Sequence, residues 1–208
     1  MDINFRVHVG GQPQQITSAQ LKEFAETYEM DAIAPGRYSS LFILNLLLLG
    51  KTSMVDPAHV IVELRALEGK GSSFTKPATE FRGKHLRGLW HKHFLPPLPS
   101  AMAHNITNQL GKDGLRQLVE EVMDPRISET FTKEMLDELT KRVVNDSFLQ
   151  RADDNRLTGE WIVFAKEGGQ NYYLGIWPHT QGDESIANSL RTACLPQFPF
   201  LEKYLQTD

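Results

Sequence analysis

Apolar residues recur at helical spacing over the first third of the chain, after one short strand. Apolar and polar side chains alternate over residues 3–9, which predicts a strand that ends at a glycine pair. Thr17 and Gln20 then have the spacing of a capping box, which predicts the start of a helix. Three helices are predicted here: one begins after Thr17, one spans residues 41–49, and one begins at Pro57 with Asp56 as its N-cap.

The middle of the chain is predicted to contain a long loop followed by more helices. The run from Glu68 to Pro77 combines Gly, Ser and Pro without apolar periodicity, so it is the best place for an internal boundary. A further helix is predicted to begin near Thr132, where acidic residues precede basic ones. Between this loop and Thr132, another helix is predicted from an apolar stripe of Leu115, Leu118, Val119 and Val122.

The last quarter of the chain has the pattern of a β-hairpin. The segments LTGEWIVFAK and NYYLGIW are rich in aromatic and β-branched residues, and EGGQ between them supplies a glycine turn. Pro178 ends the second strand, and Asp183 is predicted to cap a short helix. We therefore predict an α+β fold in one domain over residues 1–208. Its helical N-terminal and middle parts pack on a small antiparallel sheet that includes the C-terminal hairpin.

Composition limits the classes of protein to consider. A chain of 208 residues with 40% hydrophobic content can bury one sizeable core. Cys194 is the single cysteine, which excludes an intramolecular disulfide, and the first residues lack the pattern of a secretion signal. The apolar run at residues 41–49 is shorter than the roughly 20 residues that cross a membrane. These features lead us to expect a cytoplasmic protein without a membrane partner.

A basic, histidine-rich segment interrupts this acidic chain between Arg82 and His93. It reads RGKHLRGLWHKH and contains no acidic residue, although the formal net charge of the whole chain is −4. Arg offers a planar fork of donors, Lys a point charge, and His a group that exchanges a proton near neutral pH. This mixture of side chains suits the recognition of phosphate.

These residue types are also sufficient to cleave RNA without a cofactor. One histidine can take the proton of a 2′-hydroxyl, a second can protonate the departing 5′-oxygen, and cations can stabilise the charge that grows on phosphorus. His179, just after the hairpin, adds a further imidazole near the start of a helix. The candidate catalytic residues are His85, His91, His93 and His179. The candidate substrate-binding residues are Arg82, Lys84, Arg87, Trp90, Lys92 and Tyr173, with Trp90 as a stacking face for a base.

Other interpretations of the same residues stay open. The segment could be a solvated basic loop whose apolar residues pack into the core. His91 and His93, on one side of a strand, could bind a metal with His85 or His104, but no HExxH or CxxC pair occurs and the neighbouring cations oppose a metal ion. We therefore expect neither a metal nor another cofactor. Cys194 has only Arg191 nearby, which is a poor setting for a nucleophilic thiolate.

The hairpin sequence LTGEWIVFAKEGGQNYYLGIWPHTQGDESI resembles the C-terminal sheet of the barnase/EndoU/colicin E5-D/RelE assemblage of toxin ribonucleases. The resemblance covers about the last third of the chain, with loose support from the upstream histidine segment. It implies helices placed before an antiparallel sheet, cleavage of RNA without a metal, and a toxin with a neutralising antitoxin protein. Catalytic residues differ among members of that group, so the resemblance suggests an activity class and not a particular site.

The sequence therefore predicts a metal-independent, toxin-like ribonuclease that acts on RNA. The first alternative is a non-catalytic interaction or regulatory protein of a mobile element, which docks a partner through the basic segment. The second alternative is a metal-dependent hydrolase. The sequence does not indicate an oligomeric state.

Overall fold

The computed structural model describes residues 4–53, 55–96, 99–128, 130, 132–149, 151, 154 and 159–206. These residues form eight α-helices and two antiparallel sheets, which confirms the predicted α+β class. The predicted strand start at Ile3 and the hairpin residues 157–158 lie outside the described residues. The chain divides into two compact units. Unit 1 comprises Met1–Ser73, Pro77–Pro96 and Gly159–Asp208, and unit 2 comprises Phe74–Lys76 and Pro97–Thr158.

Unit 1 begins with a two-stranded hairpin of β1 (Phe5–Val9) and β2 (Gln12–Ile16). The first strand agrees with the apolar alternation. The second strand, QPQQI, was not predicted, because its first four residues are three glutamines and a proline, all exposed, and give no alternation of apolar and polar side chains. Gly10 and Gly11 both have positive φ, which glycine adopts without steric cost, and the turn that they form brings β2 back against β1.

Four helices follow, and three of them were predicted from the sequence. The predicted capping box at Thr17 is present at the start of the first helix. The prediction that Asp56 caps the fourth helix was wrong by one residue, because Pro57 occupies the cap position and Ala58 is the first helical residue. The Asp56 side chain still accepts a hydrogen bond from the backbone N–H of Ala58, which satisfies one of the unpaired donors at this helix end. The helices are α1 (Ser18–Thr27), α2 (Met30–Ile33), α3 (Ser40–Ser53) and α4 (Ala58–Leu67).

The central sheet of unit 1 has four antiparallel strands in the order β3-β4-β5-β6. The strands are β3 (Thr79–Glu80), β4 (Trp90–Phe94), β5 (Glu160–Glu167) and β6 (Gln170–Trp177), and β5 with β6 is the predicted hairpin. One face of the sheet packs on the core built with α1, α3 and α4, and we call it the helical face. The opposite face packs on the C-terminal part of the chain, and we call it the histidine face.

The C-terminal part contains α8 (Asp183–Ala193) and a 3-10 helix (Pro199–Lys203), which bury apolar residues against the histidine face. The prediction that Asp183 caps this helix was wrong by one residue. Gly182 occupies the cap position, and Asp183 is the first helical residue, where its charge complements the helix dipole.

The regular elements described in unit 2 are helices. It contains α5 (Pro99–Leu110), α6 (Gly114–Val122), α7 (Lys133–Lys141) and a π-helical segment (Arg142–Leu149). Leu118 and Val122 of the predicted stripe are buried with Met135, but Leu115 is 47% exposed. α7 begins next to Thr132, as predicted, and the Thr132 side chain caps it. No helix in the described part of the chain is long and apolar enough to cross a membrane.

Candidate active site

Two of the candidate histidines lie side by side on β4. Successive residues of a strand point to opposite faces of a sheet, so His91 and His93 share the histidine face. Their ring centroids are 5.5 Å apart, and the rings meet edge to face. His93 pairs with Trp161 in the neighbouring strand, which extends the row of rings onto β5.

His179 joins this row from the other end of the hairpin. Trp161 pairs with Trp177 in the register of β5 and β6, so the residues after Pro178 lie beside the start of β5. The backbone N–H of His179 donates to the Glu160 carboxylate. The ring of His179 stacks on His93 at a centroid distance of 5.6 Å and lies 4.6 Å from Trp161. The structure therefore brings three of the four candidate catalytic histidines together.

Two large rings enclose the cluster on its inner side. Phe81 lies 4.5 Å from the ring of His91 and 5.3 Å from Trp161, and Trp161 lies 5.2 Å from His91. Phe81 is buried, whereas His179 is exposed, so the cluster runs from the protein interior to solvent. Phe81 directly precedes the basic segment, but no pattern in the sequence predicted it as a site residue. We call His91, His93, His179, Trp161 and Phe81 the imidazole cluster.

Within the cluster, His91 is held in its neutral form. Burial lowers its pKa to about 4, because a charged ring is poorly solvated there; the nearby His179 adds repulsion and Asp183 partly offsets it. Nε2 of His91 lies 3.1 Å from the hydroxyl oxygen of Thr79. Nδ1 of His91 and Nε1 of Trp161 are buried without a hydrogen-bond partner among the described residues. Buried polar atoms are usually paired, so these two mark a place where a bound group could be held.

The ring of His93 is the most enclosed of the three. It is 6% exposed, and its Nδ1 lies 2.7 Å from the carbonyl oxygen of Gly159. This contact fixes the orientation of the ring on which His179 stacks. His93 is therefore placed to position His179, while His91 and His179 keep the atoms that can exchange a proton.

The basic loop between β3 and β4 approaches the cluster at the start of α8. A Cβ added at Gly83 would lie 2.6 Å from a carboxylate oxygen of Asp183, so the loop backbone contacts that side chain closely. The charge of Asp183 also acts on His91, which connects the loop to the cluster. The neighbouring cations Arg82, Lys84 and Arg87 are exposed. They belong to the same loop as Gly83, whose backbone contacts Asp183.

Three predicted substrate-binding residues lie on the helical face of the sheet, namely Trp90, Lys92 and Tyr173. Lys92 is 4% exposed, and its Nζ lies 3.2 Å from Glu63 and donates to Ser73. Burial lowers the pKa of Lys92, and Glu63 opposes that shift. Tyr173 is fully buried, its hydroxyl donates to Glu68 at 2.7 Å, and burial raises its pKa. Strand alternation turns Lys92 and Tyr173 towards the helical face, where each contacts other side chains of the protein.

The remaining candidates are not part of the imidazole cluster. His85 is half-buried in the turn before β4 and shares none of the ring contacts described above. His104, considered as a metal ligand, is exposed on α5 of unit 2. Within the described ranges, no group of three or more His, Cys, Asp and Glu side chains is arranged to hold a metal ion. Cys194 is buried, and burial raises the pKa of its thiol to about 12.

Comparisons with known proteins add no assignment to this geometry. No family model matches the chain, and neither a curated protein nor a solved structure matches it significantly.

Proposed function

We propose that the protein is a metal-independent ribonuclease that cleaves RNA at the imidazole cluster. The observation that carries this proposal is the row of imidazoles from the half-buried, neutral His91 to the exposed His179. A pair of imidazoles in different environments is what acid and base catalysis of one phosphoryl transfer requires. Such an enzyme would act on cytoplasmic RNA as a toxin and would need a neutralising protein partner.

His91 is assigned the role of general base. Its low pKa keeps the ring unprotonated at neutral pH, so it can accept a proton. Nε2 is the atom available for this role, because it lies 3.1 Å from the hydroxyl oxygen of the exposed Thr79, whereas Nδ1 is buried. With the proton of the neutral ring on Nδ1, Nε2 carries the free lone pair. It takes the proton of a 2′-hydroxyl as the 2′-oxygen attacks phosphorus.

His179 is assigned the role of general acid. Its ring is exposed and oriented by its stack on His93, and the Glu160 carboxylate holds its backbone. As the bond between phosphorus and the 5′-oxygen breaks, the imidazolium of His179 gives that oxygen a proton. The products are a 2′,3′-cyclic phosphate and a free 5′-hydroxyl, and the proton lost from the 2′-oxygen rests on His91.

The exposed cations of the basic loop are assigned to bind the phosphates. Arg82 and Arg87 can pair with phosphate oxygens in a planar, two-point contact, and Lys84 adds a single charge. Asp183 would repel the phosphate from the same place, but it also favours a proton on the adjacent His91 once the base has accepted it.

The test is the cleavage of single-stranded RNA by the purified protein in excess chelator. We expect wild-type protein to release a 2′,3′-cyclic phosphate, and His91→Ala and His179→Ala each to lower the rate by 100-fold or more. His8→Ala is the matched control, because His8 is an exposed histidine of the N-terminal hairpin, and it should cleave at the wild-type rate. An RNA with 2′-deoxyribose at the cleaved position should resist cleavage.

Other outcomes select the alternatives. Cleavage that the chelator abolishes would contradict the proposal and favour a metal-dependent hydrolase. Binding of RNA without cleavage, weakened by added salt, would contradict it too and would favour an interaction protein that docks through the exposed basic loop.

A further inference from the structure

A cleft of about 670 Å³ opens beside the edge strand of the central sheet. It is lined by Ala78, Thr79, Glu80, Arg82 and Trp90. Glu80 pairs with Trp90 across β3 and β4, so both side chains lie on the helical face, opposite to the imidazole cluster. The cleft thus combines an aromatic ring, an arginine and hydrogen-bonding side chains in one accessible place.

The indole of Trp90 is covered by a group that can move away. Nζ of Lys166 lies 3.4 Å from the centre of the Trp90 ring, and Lys166 is exposed. An ammonium over an aromatic face contributes about 0.5–1 kcal/mol at an exposed site, so little is lost when it leaves. A planar ligand can therefore take the place of the ammonium on the ring, and the released cation remains beside that ligand.

Thr79 connects the cleft to the imidazole cluster. Thr79 lines the cleft, and its hydroxyl lies 3.1 Å from Nε2 of His91. β3 is two residues long and forms the edge of the sheet, so one short strand separates the two sites. An extended polymer that crosses this edge can occupy both sites at once.

We propose that the cleft binds the base of the nucleotide next to the cleaved bond, in unpaired RNA. The base stacks on Trp90, Lys166 moves from the ring to the neighbouring phosphate, and Arg82 contacts the same backbone. This inference rests on the proposed function, because the cluster across the edge strand supplies the cleavage. A base within a duplex cannot enter the cleft without leaving its stack, so the site selects single strands.

Binding is measured with a 2′-O-methyl oligonucleotide, which lacks the attacking hydroxyl and stays intact. We expect it to quench tryptophan fluorescence in wild-type protein, and the same sequence in a duplex to bind more weakly. Trp90→Ala should weaken binding by about 5-fold to 150-fold, which is the usual loss of one base stack. Trp90→Phe should bind with intermediate affinity. Thermal melting of each variant establishes that it is folded.

Two more variants keep the test decisive if Trp90→Ala does not fold. Ala78→Leu should weaken binding by filling the cleft while the indole stays in place. Lys166→Met should keep the stacking but reduce the salt dependence of binding, since one cation no longer meets the phosphate. Wild-type affinity in Trp90→Ala or Ala78→Leu would overturn the inference.

The failure of this inference and the failure of the proposed function give different results. His91→Ala should bind the uncleavable oligonucleotide with wild-type affinity and cleave nothing. If Trp90→Ala binds and cleaves like the wild type while His91→Ala is inactive, the cleft has no role and the ribonuclease proposal stands. If wild-type protein cleaves no RNA at all, the proposed function fails, and the proposed site falls with it.

Discussion

Neighbouring polar residues on the two faces of β4 differ in whether their buried polar atoms have partners. On the helical face, Lys92 is enclosed and its Nζ contacts Glu63 and Ser73. On the histidine face, Nδ1 of His91 and Nε1 of Trp161 are buried with no partner in the part of the chain that the structure describes. A face whose polar groups bind one another contributes to stability, whereas buried polar atoms without a partner reduce it.

This difference divides the residues of the basic segment into two groups, one on each face of the sheet. The sequence presents its histidines and cations as one continuous run, but the alternation of side chains along β4 divides them. Lys92 stabilises the fold, and the histidines on both sides of it form the candidate active site. Substitutions on the two faces should consequently have distinct effects.

The largest effect is expected from Lys92→Ala on the helical face. Removal of the ammonium leaves the Glu63 carboxylate buried without its counter-charge, which should lower the free energy of unfolding by about 3–5 kcal/mol. Urea denaturation measures this loss. The double variant Lys92→Met with Glu63→Leu removes both charges and should recover most of it. Equal destabilisation of the single and double variants would show that packing, and not the ion pair, is lost.

Tyr173→Phe tests the same face with a smaller change. The variant loses the hydrogen bond to Glu68, which keeps its contacts with Arg37 and Asn171. We expect a loss of about 1.5–3 kcal/mol in the free energy of unfolding, as for other hydrogen bonds to charged groups. Tyr172→Phe is the matched control on the opposite face, where the ring packs on Phe198 and Phe200, and it should lose less than half as much.

On the histidine face, the expected signature is a dependence of stability on pH. His91 titrates at its ordinary pKa of 6.5 in the unfolded chain and at about 4 in the folded protein. The unfolded chain therefore binds the proton first, so the free energy of unfolding should fall as the pH drops from 6.5 to 4.

The loss should be on the order of 1 kcal/mol for a partly exposed ring. His91→Gln should flatten this part of the profile when urea denaturation is repeated across the pH range. Parallel profiles for the variant and the wild type would contradict the assignment.

The smallest effect on stability is expected from the exposed loop. Arg87→Ala should change the free energy of unfolding by less than about 0.5 kcal/mol. If the loop binds phosphate, the slope of log Kd against log salt for single-stranded RNA should fall by about 0.7. Arg6→Ala, on the exposed side of β1, is the control and should leave the slope unchanged. An unchanged slope in Arg87→Ala would remove this residue from the RNA contacts.

The elements that the sequence predicted are those with local signals. The capping box at Thr17, the helix start near Thr132 and the glycine turn between β5 and β6 each depend on residues a few positions apart. β2 was not predicted because its pairing comes from the turn before it and not from its own pattern. Local chemistry decides where elements begin and end, and it does not decide which of them become neighbours.

The imidazole cluster depends on long-range pairing, which the sequence could only partly anticipate. That His91 and His93 share a face follows from strand periodicity alone. That His179 stacks on His93 requires β4 to pair with β5 and β6 to return in register, with a shift between Val163 and Phe164. The burial of Lys92 also depends on its ion pair with Glu63 of α4, and no local pattern in the sequence indicates that partner.

The close approach of Gly83 to Asp183 links one backbone position to the pKa of His91. The φ of Gly83 lies outside the left-handed region that favours glycine, but a larger residue there must displace the carboxylate of Asp183. Because that carboxylate is the one described influence that favours a proton on His91, its displacement would leave the imidazole even less basic. A residue outside the imidazole cluster would thereby set part of the basicity of His91.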